Sequence, residues 1–179
     1  MQSRARALGH AIHPMLIVFP LGLLATAVLF DVLYLFTDGS GFEVASGYMI
    51  GAGVIGGLVA TVPGLVDWLA IPAGTRAKRV GALHGIGNVV VVVLFGISWL
   101  LRAADGWEVG ALAFVLGLIG LALAGATGWL GGELVDRFGI GVSDDAHVDA
   151  PSTLAMLNRE GRDGVNREGR EGREGAVPR

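Results

Sequence analysis

The chain has 179 residues, 53% of them hydrophobic and 16% charged, with 30 glycines and no cysteine. Soluble domains carry roughly a quarter charged residues, so an ordinary soluble domain is excluded, and the lack of cysteine excludes disulfides, thiolate zinc sites, cysteine-ligated iron–sulfur clusters and a cysteine nucleophile. A formal charge of −3 gives no reason to expect a nucleic-acid partner.

In chain order, Arg4 and Arg6 precede the first of four apolar runs, at about residues 14–36, 45–71, 80–101 and 109–130. Each reaches the roughly 20 residues that a helix needs to cross a hydrocarbon core. The first resembles a signal peptide with Ala25-Thr26-Ala27 as a cleavage site, but the run continues to Phe36, too long for the apolar region of a leader. Runs of this length fit helices, not the short alternating strands of a barrel. The expected fold is therefore all-α: an up-down integral membrane bundle of four transmembrane helices within residues 1–142, followed by residues 143–179 as an acidic linker and tail.

The basic residues set the expected orientation, because cytoplasmic loops carry the excess of Lys and Arg. Arg4, Arg6, Arg76, Lys78 and Arg79 flank one side, while Asp38, Glu43, Asp105 and Glu108 dominate the other. This alternation puts both termini in the cytoplasm of a cell whose inner, or plasma, membrane holds the protein. Gly47 and Gly51, Gly53 and Gly57, and the ladder Gly120, Ala124, Gly128, Gly132 are small-residue repeats suited to close helix packing, inside the bundle or in a homo-oligomer. The tail NREGRDGVNREGREGREG holds almost no apolar residue and is expected to be disordered.

Ionisable groups inside a bilayer helix are costly, so each is a candidate site. His10, His13, Asp67, His84, Asn88 and Glu133 fall near the inner ends of the four helices, which makes His13, His84, Asn88, Asp67 and Glu133 the candidate ligand-binding set. His10, His13 and His84 are weaker candidates for a metal. Asp31 and Arg102 match in depth at the other end and could form a structural ion pair. His13 and Asp31 are five helical turns apart and share one side of their helix; His84 and Asn88, four apart, share a face. No HExxH, Walker loop, GxGxxG in a βαβ setting or GxSxG occurs, so no catalytic residue is assigned.

GHAIHPMLIVFPLGLL with Asp31, VPGLVDWLAI, RVGALHGIGN, Arg102 and GWLGGELVDRFGIGV together resemble a bacterial family of predicted membrane proteins, the domain of unknown function numbered twenty-two thirty-one. The resemblance covers about residues 8–142 and implies a four-helix membrane domain. It also suggests membrane electron transfer, because some relatives look to be joined to a Rieske-type iron–sulfur domain; this chain has neither that domain nor cysteine. Asp136 and Phe138 stand where relatives often have Tyr and His, so the resemblance does not carry a ligand role over to that segment.

Three functions compete. A redox-linked module would hold haem b or a quinone through His13 and His84 and work with a membrane redox partner. An accessory subunit would use its polar groups only to fix helix register. A small proton or metal-ion transporter would use Asp67, His84 and Glu133 at one end and Asp31 at the other. Transport has against it the apolar fourth run.

Overall fold

The computed structural model describes residues 1–37, 39–155 and 158. Its main elements are four helices, α1 (Ile12–Thr37), α2 (Ser40–Ala70), α3 (Arg76–Ala104) and α4 (Ala111–Asp136). Before α1, β1 (Arg6–Ala7) and β2 (His10–Ala11) pair antiparallel, Arg6 with Ala11 and Ala7 with His10. Each helix is long and apolar enough to cross a membrane. The tail from residue 159 on lies outside the described residues.

The helices are longer than the apolar runs because polar residues continue them. Thr75 caps α3 by accepting from the Lys78 backbone N–H at 3.1 Å, so Arg76 to Arg79 form its first turn. α4 continues through Glu133 to Asp136, and α2 starts before Ala45 with Glu43 in its first turn. Inside the apolar stretches, Thr26, Thr37 and Thr61 donate to the carbonyls of Gly22, Leu33 and Gly57, which satisfies each hydroxyl within its own helix. Short connections make neighbours antiparallel. The α3–α4 turn places both Gly106 and Trp107 at positive φ. The Trp107 ring pays for that backbone by packing over Gly47 and, edge to face at 5.5 Å, on Trp99.

α1 packs chiefly on α2, and α3 chiefly on α4, with fewer contacts joining the two hairpins. The core comprises Leu24, Ala27, Val28, Ile50, Val91, Phe95 and Ala124. Outside it, large apolar side chains such as Val18, Phe19, Tyr48, Ile55, Val62, Ile86 and Leu112 are more than half exposed, as lipid-facing residues would be. Glycines bring backbones together at defined places: Leu24 fills the space over Gly53, and Phe95 that over Gly120. The α4 ladder is divided, because Gly120 and Ala124 are buried whereas Gly128 and Gly132 have open space where a Cβ would be.

The two hairpins are copies of one pattern. Moving α1 by 71 positions lays Pro20, Leu24, Ala27 and Asp31 on Val91, Phe95, Ser98 and Arg102, and every one of these is buried. Moving α2 by 67 positions lays Ser46, Ile50, Gly53 and Ala60 on Ala113, Gly117, Gly120 and Thr127, again all buried. The contact of Leu24 with Gly53 repeats as that of Phe95 with Gly120. α1 runs with α3 and α2 with α4, and counterpart positions meet at both ends, His13 with His84 and Asp31 with Arg102, as about a pseudo-twofold axis.

A two-histidine layer and a buried ion pair

Two polar layers lie where counterpart residues of the hairpins meet. At the end that carries the N-terminus, His13 and His84 face each other with ring centres 6.2 Å apart and planes at 83°. Each ring is held by the second helix of its own hairpin. His13 Nδ1–H donates to the Ala60 carbonyl at 2.8 Å, and His84 Nδ1–H donates to the Thr127 carbonyl at 2.8 Å. Glycine makes both approaches possible: a Cβ on Gly64 would lie 2.9 Å from the His13 ring, and one on Gly131 3.1 Å from the His84 ring. With Nδ1 carrying the proton, the lone pair of each ring is on Nε2.

The two Nε2 atoms differ in what they meet. Asn88 Nδ2 donates to His84 Nε2 at 3.1 Å, and the Thr127 hydroxyl donates to Asn88 Oδ1 at 3.0 Å, which orients the amide. The counterparts of Asn88 and Thr127 in the first hairpin are Ile17 and Ala60, so His13 has no such clamp. Its Nε2 has no hydrogen-bond partner among the described residues.

At the opposite end, Arg102 Nη1 and Nη2 donate to Asp31 Oδ1 and Oδ2 at 2.8 and 2.6 Å, a two-pronged pair with both side chains at 0% exposure. Ser46 donates to Asp31 Oδ1 at 2.5 Å. Ser98 accepts from Arg102 Nε at 3.4 Å and donates to the Ala113 carbonyl at 2.7 Å. Both charges are thus neutralised and further hydrogen-bonded, as a buried pair requires.

The remaining candidates stand apart from these layers. The Asp67 carboxylate anchors the N-terminal segment: Oδ1 accepts from the Arg4 and Ala5 backbone N–H groups at 2.7 and 3.1 Å, and the Ser3 hydroxyl lies 2.8 Å from Oδ2. His10, in β2, is exposed and contacts the Leu8 carbonyl through Nδ1 at 3.2 Å. Glu133 lines a surface cleft of about 370 Å³ with Arg76, Arg137 and Phe138, and lies 3.9 Å from Arg137 Nε. No three His, Cys, Asp or Glu residues converge to hold a metal ion among the described residues. The single polar level of sequence analysis is therefore three separate places: a histidine layer, an anchor for the N-terminal segment, and a cleft.

Sequence reasoning missed Ser3, Ser46, Ser98 and Thr127. Thr127 is the only hydroxyl-bearing residue of α4, a helix taken there as wholly apolar. That isolation was the available signal.

The family profile described as predicted membrane protein, DUF2231, matches residues 9–144. The chain belongs to this family. It is a multi-pass membrane protein, with four helices to span the bilayer. No curated protein matches the chain. No solved structure matches it. The DUF2231 match takes in both hairpins and both polar layers.

Proposed function

We propose that this DUF2231 protein is a redox-linked binding module whose two-histidine layer takes a b-type haem, which His13 and His84 would hold. One observation carries the reading: two imidazoles from equivalent positions face each other with 6.2 Å between ring centres, each fixed by a backbone carbonyl on Nδ1. Metal-bound histidines are typically held this way, with the other nitrogen left for the metal. With each Nδ1 committed to a carbonyl, Nε2 is the nitrogen by which each ring would hold a metal, and the two rings are close enough for one group to lie against both. Ligation requires Asn88 Nδ2 to release His84 Nε2. A bound haem would supply one-electron exchange; the chain's part is to hold the two rings and surround the site with apolar side chains. A membrane redox partner would follow from that activity.

The basic turn Arg76, Lys78 and Arg79 supports a cytoplasmic setting for this end and both termini, in the plasma membrane. Transport is disfavoured by the core along the axis, where Leu24, Val28 and Phe95 are packed between the polar layers.

A second reading, an accessory subunit with no cofactor, is favoured by the closed set His84, Asn88 and Thr127, in which both nitrogens of His84 are satisfied. Absorption spectra of protein purified from haem-replete cells separate the two. The haem reading expects a Soret band in the wild type and its loss in both His13→Ala and His84→Ala. A colourless, folded wild type overturns it and leaves the accessory reading.

A further inference from the structure

The match between the hairpins extends from burial to contacts, and besides the amide clamp on His84 it breaks in a specific way at the charged layer. A twofold axis brings counterpart residues face to face, so like meets like unless the sequence has diverged. At the histidine layer like does meet like, His13 against His84. At the other end the counterparts are Asp31 and Arg102, opposite in charge and wholly buried. Their neighbours have diverged to suit. Ser46 donates to the carboxylate where its counterpart is Ala113, and Ser98 accepts from the guanidinium where its counterpart is Ala27.

We infer that the chain is a tandem pair of one two-helix unit, and that the charges at positions 31 and 102 make each unit choose the unlike unit as its partner. If two first units paired about the same axis, two buried carboxylates would face each other. Two second units would bring together two buried guanidiniums. In a medium of low dielectric, an uncompensated buried charge is far costlier than a lost contact, so like pairing is rejected. The contacts of Leu24 with Gly53 and of Phe95 with Gly120 lie inside each hairpin, so they set no preference between like and unlike units. The surface that each hairpin presents is thus a docking face for the other hairpin of the same chain.

The inference stands independently of any bound cofactor and is tested on the full-length protein in detergent. Asp31→Arg alone and Arg102→Asp alone should each lower the ratio of folded to unfolded protein by about a hundredfold or more, the scale for a stranded buried charge. Exchanging the whole layer, D31R and R102D with A27S, S98A, S46A and A113S, should restore it to within about threefold of wild type, because each residue then sits at its counterpart position. An exchanged variant no better than the single ones overturns the equivalence of the units. Single variants that fold like the wild type overturn the role of the charges in partner choice. The same logic applied to the other layer, I17N, A60T, N88I and T127A together, moves the amide clamp from His84 to His13. Folding close to that of the wild type supports the equivalence, and failure to fold counts against it.

Discussion

Asp31 has no solvent exposure in a helix built to cross a bilayer, and its carboxyl group is surrounded by donors. Arg102 provides two charge-assisted hydrogen bonds and Ser46 a third. The two charges were legible as a pair because their positions match in depth along α1 and α3. The hydroxyls were not, and the reason is physical. A serine or threonine in an apolar helix can satisfy itself on the carbonyl four residues back, as Thr26, Thr37 and Thr61 do, so residue type does not tell which hydroxyls reach across to another helix. Asp67 teaches the same lesson for carboxylates. Its depth suggested a ligand, whereas its oxygens accept from the amides of Arg4 and Ala5. Asp67→Ala should therefore release the N-terminal segment without unfolding the bundle. Limited trypsin digestion should cut after Arg4 and Arg6 several-fold faster than in wild type while the helices remain intact; an unchanged cutting rate would show that the segment is held by other means.

Among the elements, the four spans were legible because their apolar runs exceed the thickness of a bilayer core. Their ends were not, since the helical turns that hold Arg76, Lys78, Arg79, Glu133 and Asp136 continue beyond it. The glycine ladder of α4 was legible as a repeat but not as two different surfaces. Gly120 lies under the Phe95 ring, where a Cβ would come within 2.8 Å, whereas a Cβ at Gly128 would meet nothing within 4 Å. Gly120→Val should then cost about 1–3 kcal/mol by overpacking. Gly128→Val, on the open side, should change stability by no more than about 0.5 kcal/mol, as surface substitutions usually do. Thermal unfolding of the two variants in detergent checks the contrast, and equal losses would contradict the assignment of Gly120 to internal packing and Gly128 to the exterior.

For the whole molecule, the relation between the hairpins escaped a reading of the sequence because little identity survives. Ala11-Ile12-His13 echoes Ala82-Leu83-His84, but the other aligned positions agree mainly in burial and size. Only when Leu24 is seen over Gly53 and Phe95 over Gly120 does the repeat become plain. The orientation is open to a direct check, since a chain without cysteine accepts single reporter thiols. Ala73→Cys, in the basic turn, should be protected from an impermeant maleimide in intact cells, and Asp105→Cys should be labelled; the reverse pattern would invert the topology.

The His13 and His84 rings stand nearly perpendicular, at 83°, and the proposed haem would be held by both. Low-temperature electron paramagnetic resonance of the oxidised, haem-replete protein tests it most directly. Two imidazoles with crossed planes should give a highly anisotropic low-spin ferric signal, lost in His13→Ala and in His84→Ala. A wild type with only high-spin iron, or with no haem signal at all, would overturn the assignment of a haem to His13 and His84.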